Sequence, residues 1–317
     1  MKTAEAGKRA PSSNGAFCKV KRFFNSQKVA PWIFVSPFVL TFLIFFAAPL
    51  VETCVMSFQN ILPGESTFIG LDNYTKLFQD KIFWKAVSNS VLYMVLTLLL
   101  LIPIPMVVAV FLNNKVMVGK GFFKSALFIP ALTSVVVAGT IFRLMFGEVE
   151  GSMMNQLMKA FGQEPVKWLN GSQSTVFVAL LLLACWRWLG VNMLYFLSGL
   201  QSIPADLYEA ADIDGANAWK KFVHITIPNL KPTIVYVLTI SIYGGLAMFT
   251  ESYMLFTNNN SPKNMGLTIV GYLYRAGIEQ NRMGYASAVG LVLLIIAMVI
   301  NIAQLKATGM LKKEGKD

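Results

Sequence analysis

Apolar residues run along this chain in unbroken blocks, not at the every-third-or-fourth spacing of a half-buried helix. A bilayer core about 30 Å thick takes roughly 20 mostly apolar residues in helical form. Six blocks meet that length, at residues 31–57, 88–112, 125–146, 175–200, 233–255 and 284–305. Buried helices of a soluble bundle keep a polar stripe at the 3.6-residue period, and "VLYMVLTLLLLIPIPMVVAVFL" (91–112) has none. The pattern predicts an all-α membrane protein with six transmembrane helices.

The connections between blocks differ in character. Those at 58–87, 147–174 and 256–283 are long. In the first, turn residues precede an amphipathic stretch around Tyr74, Leu77, Phe78, Phe83 and Trp84, suited to lying in an interface or capping a bundle. The connection at 201–232 is polar yet helix-forming. Pro204 fits a first helical turn, where a missing N–H costs nothing. Leu207, Ala210 and Ala211 follow at i, i+3, i+4, and Gly215 suits a turn with positive φ. Asn217 is a good N-cap for a second short helix carrying Trp219, Phe222 and Val223, which Pro228 is expected to end. Periodicity alone leaves two roles open: a helix pair that ties spans four and five together, or a surface that another protein approaches closely over its alanines.

Charge fixes the direction of the spans. With the N-terminus cytosolic, seventeen Lys and Arg fall inside, at 1–30, 113–124, 201–232 and the C-terminal tail, against eight outside. That is the positive-inside asymmetry of a multi-pass cell-membrane protein with both termini cytosolic. The net charge of +11 is therefore a topology signal and needs no nucleic acid. Residues 1–30 lack a signal-peptide pattern and read as a basic cytosolic tail able to touch anionic membrane lipid; residues 309–317 form a second tail. The chain is 55% hydrophobic and only 14% charged, well below the quarter usual for soluble domains.

Catalytic chemistry has little to stand on. Three scattered cysteines and one histidine give no disulfide framework and no metal site, and neither cofactor nor metal is expected. No G-x-x-x-x-G-K-[ST] occurs, so nothing cradles ATP phosphates by that route. Energy for any transport has to come from a partner.

Within the membrane, Arg187 in span four is costly unless it faces a cavity or partner. It is either a structural ion pair or a pathway residue, with Trp188 and Tyr195 following it on broadly one side. Arg143 is expected to pair with Glu148. In span five, Ser241, Gly245, Met248 and Ser252 share a face at i, i+4, i+7, i+11, with Phe249 beside it. Gly244 and Gly245 suit either a cavity border or close helix packing. Glu251 either pairs with Arg187 or lines a vestibule, near the end of its span.

The stretch "EAADIDGANAWKKFVHITIP" (209–228) resembles the EAA loop of importer-type ABC permeases: Glu209-Ala210-Ala211, then Gly215, then Ile225 and Pro228 in order. "FIGLDNYTKLF", "FKSALFIPAL", "LSGLQSIPADLYEAADIDGA" and "GYASAVGLVLLII" extend the resemblance over about 31–308, to the carbohydrate-uptake group; "SALFIPALTSVVVAGTIFRLMFGE", "CWRWLGVNMLYFLSGLQ" and "ESYMLFTNNNSP" resemble the arabinose-oligosaccharide permeases within it. One departure is "TNNNSP" (257–262), where many relatives have Thr-Gly-Gly-Pro. The resemblance implies an ABC type I importer transmembrane domain over 31–308, a transport subunit without enzymatic activity of its own. It implies an ATPase-coupling loop holding Glu209, Ala210, Ala211, Asp214, Gly215, Ile225 and Pro228. It implies as partners a second homologous permease, a cytosolic ATPase dimer and an extracytoplasmic sugar-binding protein. It also points to Arg187, Trp188, Tyr195, Ser241, Gly245, Met248, Phe249 and Ser252 as solute-pathway candidates. Import of another solute such as glycerol phosphate is the nearest alternative. An ion-coupled secondary transporter would need acidic groups at mid-membrane, and a membrane-embedded enzyme would need convergent catalytic residues.

Overall fold

The computed structural model describes residues 26–62, 64–114, 116–257 and 261–310. Most of the two expected tails lies outside them. The chain divides into two units, one ending at Val55 and the other beginning at Met56.

The first unit is built on helix α1 (Ala30–Met56). Pro31 sits in its first turn, and the helix widens into a π turn at Leu43–Ala47. It is apolar all round and has no buried residue, with Trp32, Phe34 and Phe38 exposed. Such a surface matches lipid and not water.

The second unit opens with a short hairpin ahead of its helices. Strand β1 (Gln59–Leu62) pairs antiparallel with β2 (Glu65–Phe68), in register Gln59↔Phe68 to Leu62↔Glu65. Gly64 takes φ +83° at its turn. Neither "QNIL" nor "ESTF" alternates apolar with polar residues, so the period-2 signal of a strand is missing from the sequence.

Helix α2 (Asp72–Gln79) precedes α3 (Lys81–Leu101), whose N-terminus is capped by Asp80 Oδ1 accepting from the Ile82 N–H at 2.7 Å. The amphipathic stretch divides between them: Leu77 and Phe83 are fully buried, while Phe78 and Trp84 stay half exposed. Helix α4 (Pro103–Asn113) completes the second span. The third is bent by 96° between α5 (Lys120–Leu132) and α6 (Val135–Met145). Pro130 in the last turn of α5, followed by Thr133 and Ser134, favours a break there, because hydroxyl residues prefer caps to helix interiors.

After the short α7 (Met153–Ala160) comes α8 (Gln173–Gln201), started by a Ser172–Thr175 capping box. Then follow α9 (Ala205–Ile213), α10 (Ala218–Asn229), α11 (Lys231–Leu246), α12 (Thr250–Leu255), α13 (Ile269–Tyr274) and α14 (Met283–Ala307). Among the described residues, four helices are long and apolar enough to cross a membrane, and up to six spans result if each of two bent pairs counts as one. The second bent pair joins α10 to α11, so it meets the predicted 233–255 block only from 233 to 246. Span five is the exception to a straight reading, since its helix stops at Leu246 and restarts at Thr250.

Helix α8 is the centre of the second unit, packed on α3, α4 and α5, while α11 lies against α3 and α14. Gly190 brings α8 onto α5: a Cβ there would lie 1.9 Å from the Leu127 carbonyl oxygen. The loop before α13 is tied down by side chains of α3. Asn89 Nδ2 donates to the Asn264 and Leu267 carbonyls, both at 2.8 Å, and Ser90 Oγ accepts from the Ile269 N–H at 3.0 Å. Tyr272 of α13 donates to Asp80 Oδ2 at 2.5 Å and meets the Tyr285 hydroxyl at 2.7 Å. Burial, reinforced by that carboxylate and by Tyr285, pushes the Tyr272 phenol well above its ordinary range, so it remains a donor.

Candidate functional site

A partly open cavity of about 130 Å³ lies between α3, α8 and α11. Helix α8 contributes Trp188, Asn192 and Tyr195, which share one face at i, i+4, i+7. Helix α3 adds Tyr93 and Thr97, and α11 adds Ser241, Gly244 and Gly245. Met248 and Glu251 complete the wall beyond the end of α11. The two glycines have different roles. Gly245 packs against α3, where a Cβ would lie 2.9 Å from Met94 Cα, whereas Gly244 has nothing within 4 Å and leaves space.

Five of the pathway candidates therefore line this cavity: Trp188, Tyr195, Ser241, Gly245 and Met248. Arg187, Phe249 and Ser252 do not. The face drawn through Ser241, Gly245, Met248 and Ser252 assumed a continuous helix, and the break at 247–249 turns Ser252 away. It is buried and donates to the Gly266 carbonyl at 2.6 Å. Phe249 joins a ring cluster with Tyr253 and Tyr274, at centroid distances of 5.2 and 5.1 Å. The break itself is stabilised by Thr268 Oγ1, which donates to the Met248 carbonyl at 2.7 Å.

Arg187 pairs with Glu251 through Nη1 and Oε1 at 3.2 Å, both side chains nearly buried. Its guanidinium also stands 5.5 Å from the Trp188 ring centroid. Arg187 lies midway between Gln173 and Gln201, so this pair sits at the middle of α8. Glu251 is thus not a span-end residue, as its sequence position suggested; the break after Leu246 carries it inward. Arg143 differs from expectation too: it donates to Thr257 Oγ1 at 2.7 Å, while Glu148 accepts from Asn170.

Asn192 and the pair Tyr93–Thr97 escaped sequence reasoning. Their signal was present: Asn192 falls on the face already marked by Trp188 and Tyr195, and Thr97 lies one turn from Tyr93. Asn192 Nδ2 donates to the Leu101 carbonyl at 2.9 Å. A helix would satisfy that carbonyl with the N–H of residue 105, which is Pro105 and has none.

The second assembly is the α9–α10 arm. Helix α9 ends in a Schellman motif: the Ala216 N–H bonds the Ala211 carbonyl at 2.8 Å and the Gly215 N–H bonds that of Asp212 at 3.1 Å. Asp214 is the C-cap and Gly215 takes φ +72°. Asn217 then caps α10, its Oδ1 accepting from the Lys220 N–H at 2.9 Å. The two halves are clasped by Lys221–Asp212 at 2.5 Å and by the Tyr208 and Thr226 hydroxyls at 2.9 Å.

Pro228 does not end the second helix. Residues Phe222–Thr226 form a π turn, in which the Ile227 N–H bonds the Phe222 carbonyl, and the helix passes through Pro228 to Asn229. The wider turn accommodates the ring and its missing donor. The chain then bends by 67° into α11. Glu209, Ala210, Asp214, Gly215 and Pro228 are exposed, and Ala211 and Ile225 are half-buried. Ile213 and Trp219 are left 88% and 70% exposed, an apolar tip on an otherwise polar arm.

A cavity between the apolar helices α3, α8 and α11, with a folded arm between α8 and α11, fits the class of membrane permeases. A profile of binding-protein-dependent transport system inner membrane components matches residues 31–306, and the chain belongs to that family. It is 55% identical to the arabinooligosaccharides transport system permease protein AraP of Bacillus subtilis (strain 168), over 92% of each chain. It is 31% identical to the lactose transport system permease protein LacF of Rhizobium radiobacter, over 91% of this chain and 96% of that one. Among solved structures it resembles a chain of a bacterial ABC transporter involved in alginate import. That likeness has a TM-score of 0.79 at 24% identity, over 94% of this chain and 99% of the other, and supports the fold. The protein is accordingly a multi-pass cell-membrane subunit with a type I importer transmembrane fold.

Proposed function

We propose that this chain is the permease subunit through which an oligosaccharide, arabinose-containing in the first instance, crosses the membrane after delivery by an extracytoplasmic binding protein. The observation that carries the sugar reading is the 55% identity to an arabinooligosaccharide permease across nearly the whole chain. The cavity agrees with it. Its wall carries the aromatic rings of Trp188, Tyr195 and Tyr93 and the polar groups of Thr97, Asn192, Ser241 and Glu251 among apolar neighbours, a lining suited to ligands with C–H faces and hydroxyl rims.

In this proposal the α9–α10 arm is the handle on which a separate cytosolic ATPase dimer acts. Glu209 makes a polar contact with it, and Ile213 and Trp219 fill apolar ground on it. A second, homologous permease completes the pathway, and ATPase closure tips the bundle from inward-open to outward-open, shifting a pre-existing equilibrium. Glu209→Lys in the assembled importer is expected to abolish binding-protein-stimulated ATP hydrolysis while leaving membrane insertion intact. Undiminished stimulation would remove Glu209 from the coupling contact.

A further inference from the structure

Among the described residues lining the cavity, one carries a formal charge, and it is negative: Glu251. Its two carboxylate oxygens are not equivalent. Oε1 faces Arg187 Nη1 at 3.2 Å, whereas Oε2 has no hydrogen-bond partner among the described residues. Arg187 stands behind the wall and does not line the cavity; its Nε is buried without a partner. The space beside Glu251 is open on the α11 side, where Gly244 leaves nothing within 4 Å of its missing Cβ. Trp188, 43% exposed, offers a ring face on the α8 side.

From this arrangement we infer that Glu251 is the specificity-determining residue of the cavity, an acceptor for saccharide hydroxyls that excludes saccharides bearing carboxylates. The free Oε2 accepts a hydrogen bond from a hydroxyl, and a hydrogen bond to a charged acceptor is about twice as strong as a neutral one. A uronate would place its own carboxylate against Glu251, the charge that faces the cavity; Arg187, behind the wall and farther from the ligand, offsets part of the resulting like-charge repulsion without cancelling it. Arg187 is a positioning residue: it holds Oε1, so that Oε2 is turned to the ligand. The chain therefore passes neutral oligosaccharides. This inference rests on the sugar reading above and adds the charge class to it.

The test is equilibrium dialysis of the purified, assembled importer, without its binding protein, against two labelled probes: a neutral pentose trisaccharide and a uronic-acid trisaccharide. The wild type is expected to bind the neutral probe at least about tenfold more tightly, and Glu251→Gln to bring the two within about twofold. Should the single variant fail to accumulate, the Arg187→Gln/Glu251→Gln pair leaves no charge unpaired and is expected to show the same collapse. A ratio indifferent to position 251 overturns the inference and leaves the sugar reading standing. A wild type that binds neither probe overturns the sugar reading and this inference with it.

Discussion

At Leu101 the chain has a carbonyl that its own helix cannot satisfy, because the residue four places on is Pro105. Asn192 supplies the missing donor from α8 at 2.9 Å, and so fixes the α3–α4 kink against the central helix on the cavity wall. An unpaired carbonyl in an apolar setting is costly, and interhelical hydrogen bonds in membranes contribute about 1 kcal/mol. Asn192→Leu is expected to lower the midpoint of thermal unfolding in detergent by a corresponding amount. An unchanged midpoint would show that the carbonyl finds another partner. Trp188 and Tyr195 were legible from the sequence because aromatics inside an apolar span stand out. Asn192 was not singled out, since its task depends on a proline some ninety residues away. Glu251 was misplaced for a related reason: its depth depends on a helix break that a window of apolar residues does not register.

Elements show the same division. Three of the six apolar blocks, at 31–57, 175–200 and 284–305, end within two residues of a helix, because length and absence of charge are local properties. The bend in span three follows Pro130, Thr133 and Ser134, whereas the break in span five is held by the tertiary hydrogen bond from Thr268 to Met248, which no periodicity reveals. The hairpin at 59–68 went unread for want of alternation. In the α9–α10 arm, by contrast, Gly215 and Asn217 occupy the turn and the cap that their chemistry prescribes, since both act on neighbouring backbone. Pro228 did not stop its helix, because a π turn absorbed it. Gly215→Val forces a β-branched residue into φ +72°, a strain of roughly 1–2 kcal/mol. It is expected to reorient the arm, reducing ATPase stimulation severalfold at normal expression. Full stimulation in that variant would mean that the turn's geometry does not matter to coupling.

For the molecule as a whole, sidedness decides whether a cytosolic partner can reach the arm. Lysines and arginines gather at 1–30, 113–124, 201–232 and the C-terminal tail, and the positive-inside rule assigns those segments to the cytosol. In the proposed mechanism the cavity and the arm belong to one machine, in which force applied below the membrane changes access to a site within it. Asn217 lies at the exposed tip of the arm. Asn217→Cys, made with Cys18, Cys54 and Cys185 replaced by serine, therefore provides the most direct measurement. A membrane-impermeant thiol reagent is expected to leave that cysteine unlabelled in intact cells, to label it in inside-out vesicles, and to be blocked there once the ATPase is bound. Labelling in intact cells would place the arm outside and contradict the account of how this permease is driven.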